Sequence, residues 1–265
     1  MKLIDISSQG QMSHFTLIYG TSGTGKTHLC STLSKDSQVL FIDVDNGSAT
    51  LGKLVRSGFT GTVKENIYIT SFDAFEDFDT LYGLIARNKK DPNVWNKAFA
   101  IPVTHEKFVT KPFDFIVWDT WTELQTWIFE KRRGSEGVAL MGDVKGKFVL
   151  RPNLRIQDWG AISDFNKRAI TELRKLDTSQ IFLMQEMLHT DTETGRETLT
   201  PAVQGAMAKM MPSYFDIVIR TYLSTKGEFR ATTQGKHNFV AKDRRKDQMV
   251  YGGDTLTLQH ILDVG

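Results

Sequence analysis

The sequence predicts an α/β fold, a mostly parallel sheet covered by helices on both faces, with an antiparallel C-terminal extension. Three observations lead to it. Short apolar runs such as Val39-Leu40-Phe41-Ile42, Phe113 to Trp118 and Ile181-Phe182-Leu183-Met184 have the character of strands buried on both faces. Between them lie stretches with helical periodicity, the signature of crossover connections. After Phe215 the strand signals recur around tight turns, as in an antiparallel tail.

Taken in order, residues 1–14 read as a short leading strand and a polar turn, and Phe15-Thr16-Leu17-Ile18-Tyr19 as the first core strand. A helix is expected from Lys26 to about Ser34, then the strand at Val39 and a short strand at Ile67-Tyr68-Ile69. Phe75, Phe78, Leu81, Tyr82 and Ile85 fall at helical spacing among acids, which predicts an amphipathic helix over 73–88. Residues 89–112 hold three of the six prolines and show no period, so they read as an irregular insertion or surface excursion. The strand ending at Asp119 leads to a helix over 121–131, a Gly-rich basic loop over 132–155 and a helix over 157–176. The strand ending at Gln185-Glu186 precedes a polar loop and a short Met-rich helix around 204–211. Strands Phe215 to Leu223, Glu228 to Thr232 and Phe239 to Lys242 complete the tail. With no repeat and no low-complexity linker, the 265 residues read as a single domain with a core over about 15–246.

Composition narrows the function classes. Hydrophobic content is 40% and charged content 24%, and no apolar run approaches the roughly 18 residues of a membrane span. The N-terminus lacks a secretory signal, which predicts a cytoplasmic protein. The single cysteine, Cys30, reads as a small buried apolar residue. His14, His105 and His237 show no metal-ligand spacing. A net charge of +2 does not announce a nucleic-acid partner, but its distribution is uneven. Arg132, Arg133, Lys145, Lys147, Arg151 and Arg155, with Lys131, face only Glu136 and Asp143 in one segment.

The most specific pattern is Gly20-Thr21-Ser22-Gly23-Thr24-Gly25-Lys26-Thr27, a Gly, four residues, then Gly-Lys-Thr, placed directly after a strand. Its glycines permit dihedrals that bring successive N–H groups toward phosphate oxygens. Lys26 offers a charge to the β- and γ-phosphates, and Thr27 a hydroxyl to Mg²⁺. The motif therefore predicts a site for ATP and Mg²⁺. In a parallel sheet the polar ends of successive strands, Asp43 and Asp45, Asp119, and Gln185-Glu186, converge beside this loop. Asp119 fits the acid that holds the metal, with a helix N-cap as the bland alternative. Asp45, or else Asp43, is placed to orient and deprotonate an attacking water.

Together with Val240-Ala241-Lys242-Asp243-Arg244, these motifs resemble, in order, the RecA-fold recombinase core of P-loop NTPases. The pattern is closest to phage-encoded RecA-like ATPases of single-strand annealing and recombination. Gln157-Asp158-Trp159, Gln185-Glu186 and the Pro201 to Asp216 region contribute to that narrower match. The resemblance implies that Asp45 is the catalytic base, although the family usually has glutamate there. It implies that Gln185 senses the γ-phosphate, and that Lys242 and Arg244 reach the nucleotide of a neighbouring subunit. It further implies a homo-oligomer, host cytoplasm as location, and single-stranded DNA contacts after Asp119 and after Gln185. The first contact segment holds Arg132, Arg133, Lys145, Lys147, Phe148, Arg151 and Arg155; the second, 187–203, has His189 and Arg196, with Lys209 nearby. A single-strand-binding protein is a further partner of such systems. A nucleotide-gated adaptor with slow hydrolysis and a small-molecule kinase stand as rival readings.

Overall fold

The computed structural model describes residues 13–34, 36–45, 47, 49, 51–52, 66–72, 77–105, 107–126, 156–191, 193–203, 207–245, 247–253 and 256–263. Its centre is a 10-stranded sheet. The strands are β1 (Phe15–Gly20), β2 (Val39–Asp43), β3 (Ile67–Ser71), β4 (Phe115–Asp119), β5 (Ser179–Thr190), β6 (Glu197–Pro201), β7 (Ile217–Leu223), β8 (Phe229–Thr232), β9 (Lys242–Asp243) and β10 (Val250–Gly252). Their order is β10-β8-β7-β1-β5-β4-β2-β3, with β6 beside β5 and β9 beside β7. Every neighbour pair from β7 to β3 is parallel, while β8, β9 and β10 pair antiparallel. The predicted fold class, sheet and antiparallel tail alike, is what the chain adopts.

The alternation along β1 explains the two-sided core. Leu17 and Tyr19 join one apolar cluster with Phe78, Trp95, Trp118, Trp121 and Phe182; Ile18 joins the other with Leu29, Cys30, Val117 and Ile261. Successive side chains leave a strand on opposite faces, so a run apolar throughout requires cover on both. Helices Asp77–Asn88 and Asn93–Ala98 contribute to the first layer, and Lys26–Cys30 and Leu258–Asp263 to the second. Buried indole nitrogens are satisfied: Trp118 donates to Gln180 and Trp121 to Asn166. Among the described residues no helix is long and apolar enough to cross a membrane.

The departures from expectation have local causes. The first helix stops at Cys30 rather than Ser34, because the Ser31 and Thr32 hydroxyls bond back to the carbonyls of His28 and Leu29 and tighten the chain into turns. The segment 89–112 is irregular and exposed only in part: its described residues from Phe99 on are turns and coil, but it is anchored to the core. It contains the helix Asn93–Ala98, whose Trp95 is 2% exposed, and Asn96 clasps both the N–H and the carbonyl of Val109 at 2.8 Å. The polar stretch after Gln185 is also ordered as sheet: β5 runs to Thr190, turns on Asp191, and returns as β6. The hydroxyl and N–H groups of Thr194 both donate to that aspartate, which holds its carboxyl well below the usual range. The leading segment 1–12, residues 127–131 of the predicted helix and the basic loop 132–155 lie outside the described residues.

Candidate functional site

The strand-to-helix turn after β1 has the geometry its sequence demands. Gly23 and Gly25 take φ of 79° and 82°, left-handed values that side chains disfavour. At Gly20 the constraint is space, since a Cβ there would overlap the carbonyl and hydroxyl of Thr221 on β7. Thr24 braces the turn by donating to the Thr21 carbonyl at 2.8 Å and meeting the Thr221 hydroxyl at 2.9 Å. Lys26 folds back over the loop, its Nζ donating to the carbonyls of Gly20 at 2.9 Å and Thr21 at 3.0 Å. Burial lowers its pKa, while the carboxylates of Asp119, Asp45 and Glu186 oppose that shift.

Register brings the other strand ends to the same level. Gly20 pairs with Gln185 across β1 and β5, and Asp43 with Asp119 across β2 and β4. The Thr27 hydroxyl donates to Asp119 Oδ2 at 2.8 Å, and Lys26 Nζ donates to Gln185 Oε1 at 3.3 Å. Asp119 is 3% exposed, and burial pushes its carboxyl up to about 6 against the favourable bond from Thr27; the nearby charges of Asp45 and Asp43 push the same way. A hydroxyl and a buried, charge-crowded carboxylate side by side are hard oxygen donors that fit Mg²⁺, a cation that takes few protein ligands when phosphate and water supply the rest.

The two candidate bases separate in space. Asp45 lines the cavity above the loop, its Oδ1 accepting from the Gly47 N–H at 2.9 Å; Asp43 is 8% exposed within β2 and does not line that cavity. The cavity encloses about 750 Å³. Its polar end is built from Lys26, Thr27, Asp45, Asp119 and Gln185, and its other walls include Phe229, Arg230, Gly253 and Leu256. Sequence reading missed these last four. Phe229 is 51% exposed and its ring lies against Gly25, a placement set by the β7–β8 hairpin and announced by no motif.

A family model described as an AAA domain matches residues 14–245. The chain belongs to the AAA domain family. Among the curated proteins nothing matches this AAA-domain chain. Among solved structures, 171 chains match it. One is the crystal structure of the RadB recombinase, 14% identical, with 89% of this chain and 84% of that chain covered at a TM-score of 0.48. Family membership and the phosphate loop make this AAA-domain protein a nucleotide-binding P-loop ATPase by fold.

Not every expected site residue is gathered here. Lys242 pairs with Val218 and Arg244 donates its N–H to the Asp216 carbonyl, while Asp216 in turn bonds Phe15. That places both cations toward the start of β1, away from Gly20, and neither lines the cavity. Burial first, and the neighbouring Arg244 and Arg174 charges after it, lower the Lys242 pKa to about 8. In the β5–β6 hairpin, Arg196 donates to the His237 carbonyl at 3.1 Å and Lys209 pairs with Asp191 at 3.2 Å. Both cations are exposed, and each is tied to a partner within the chain. Arg132, Arg133, Lys145, Lys147, Phe148, Arg151 and Arg155 lie outside the described residues.

Proposed function

We propose that this protein is a Mg²⁺-dependent ATPase stimulated by single-stranded DNA, acting in phage-type recombination, annealing or repair as an assembly of its own copies. The observation that carries the reading is the convergence of Lys26, Thr27, Asp119, Gln185 and Asp45 on one cavity. The backbone of Gly20, Thr21, Ser22, Gly23, Thr24 and Gly25 cradles the phosphates, and Lys26 exchanges its two carbonyl partners for phosphate oxygens. Thr27 and Asp119 would hold Mg²⁺, which would supply charge neutralisation to the phosphates. Asp45 orients the attacking water and accepts its proton, and Gln185 meets the γ-phosphate. Phe229, Arg230 and Leu256 wall the end that receives base and ribose.

Lys242 and Arg244 complete the site in trans. Their position away from the loop of their own chain leaves them no role there in cis and is compatible with a contact to a neighbouring copy. The basic segment from Arg132 to Arg155, with Phe148 among its charges, suits phosphate tracking and base stacking. A single-strand-binding protein would share that substrate. The test is affinity for a single-stranded oligonucleotide across salt. Affinity falling steeply with salt supports the reading, since bound cations release counterions; weak binding, flat across salt, removes the DNA role.

One observation favours a second reading, a nucleotide-gated adaptor that hydrolyses slowly. Asp45 is a short acid whose Oδ1 is already engaged by Gly47. In that case ATP changes the oligomeric state while turnover stays negligible.

A further inference from the structure

Behind the cavity lies a buried ion pair that the proposed chemistry does not use. Arg220 donates to Glu186 through Nε at 2.5 Å and through a terminal nitrogen at 3.2 Å, with side chains only 15% and 4% exposed. Neither residue lines the cavity. Ion pairs this deep are a poor source of stability, because desolving both charges offsets much of their attraction. Their use lies in fixing one arrangement.

The arrangement they fix is that of Gln185. Consecutive residues of β5 point to opposite sides, so Gln185 reaches Lys26 while Glu186 reaches β7. Anchoring Glu186 therefore sets the rotation of the strand at the residue that touches the lysine. Arg220 is itself held against the rings of Phe239, at 4.8 Å, and Tyr222, at 5.3 Å. The segment carrying Phe239 is tied down twice more. The Tyr19 hydroxyl, one residue before Gly20, bonds both the carbonyl and the N–H of Val240, and Leu199 of β6 donates to the Asn238 carbonyl at 2.7 Å. Ala241 then leads directly into Lys242 on β9.

From this continuity we infer that Glu186 and Arg220 are a positioning pair that seats Gln185 on Lys26 and couples nucleotide occupancy to the β5–β6 hairpin and to the segment leading to Lys242. The inference rests on the reading of Gln185 as the γ-phosphate contact. When Gln185 exchanges Lys26 for a phosphate oxygen, the end of β5 shifts, and Arg220 transmits that shift to Phe239. Occupancy of one subunit's site then adjusts the cation offered to its neighbour's.

The test is backbone hydrogen exchange on the full chain, with and without a non-hydrolysable ATP analogue and Mg²⁺, alongside steady-state kinetics. In the parent protein the analogue should slow exchange across 20–27, 186–200 and 238–241 by about tenfold or more. In Arg220→Met and in Glu186→Gln, protection of 20–27 should persist while the two distal segments lose it. Turnover should fall by about tenfold with KM within about twofold of the parent. Distal protection that survives both substitutions overturns the coupling. If Arg220→Met does not fold, Glu186→Gln decides alone, since it keeps the shape and removes only the charge. A parent protein with no protection at 20–27 overturns the nucleotide reading itself; protection there with none at the distal segments overturns this inference only.

Discussion

The Thr27 hydroxyl donates to Asp119 Oδ2 at 2.8 Å, joining the first turn of the helix after β1 to the end of β4. This contact spans 92 positions of sequence and aligns the two oxygens that the account assigns to Mg²⁺. Because burial raises the Asp119 pKa to about 6, the proton and the cation compete for it. Mg²⁺-dependent nucleotide affinity should fall as pH drops through about 6, and Asp119→Asn should remove both the affinity gain and its pH dependence. Titration of ATP with and without Mg²⁺ between pH 5 and 8 checks this.

The same shift makes a stability prediction of definite sign. A carboxyl whose folded pKa lies above its unfolded value favours folding while protonated, and that contribution fades as pH rises through the folded pKa. Nucleotide-free protein should therefore lose on the order of 2 kcal/mol from this group between about pH 4 and pH 7. Asp119→Asn should be more stable than the parent near pH 8 in chemical denaturation.

Gly20 and Gly25 should each resist replacement, for different reasons. Gly20→Ala forces β1 and β7 apart at Thr221, whereas Gly25→Ala places a Cβ at a φ of 82°. Each should cost about 1–3 kcal/mol of stability and weaken ATP binding. Gly47→Ala serves as a further probe, since a Cβ there would press on Asp45 Oδ1.

Lys242 carries the test of the trans contact. With its pKa lowered to about 8, it loses its charge between about pH 7 and pH 9. Turnover that depends on Lys242 should decline from about pH 7 to pH 9, and Lys242→Arg should flatten the decline. Mixing Lys242→Ala with Asp45→Ala protein should restore part of the activity, because one mixed interface then has both groups intact.

Much of this arrangement was legible in the sequence. The strands β1, β2, β4 and β5 announced themselves because strands covered on both faces must be apolar along their whole length. The phosphate loop did so because its glycines answer backbone demands that only glycine meets cheaply. What stayed hidden depended on partners distant in sequence. Trp95 looked like part of an irregular stretch, since its helix is short and its stability comes from Asn88, Phe113 and the Asn96–Val109 clasp. Phe229 looked like an ordinary strand residue until the hairpin set it beside Gly25. The Glu186–Arg220 pair gave no local signal, because the register of β5, β1 and β7 alone brings it together.

The anchoring of segment 89–112 through Trp95 can be measured. Trp95→Ala removes a side chain stacked on Phe99 and edge-on to Phe113, and should cost about 3–5 kcal/mol. Replacing the half-exposed Phe99 alone should cost far less, and thermal melts of the two variants compare them directly.

A single ATP site whose turnover answers to DNA makes one decisive assay possible. Phosphate release should be measured for the parent and for Lys26→Ala, with and without single-stranded DNA. A DNA-stimulated ATPase should show Mg²⁺-dependent release by the parent that rises when DNA is added and is lost in Lys26→Ala. Release that is indifferent to DNA, or that survives in Lys26→Ala, would contradict that reading.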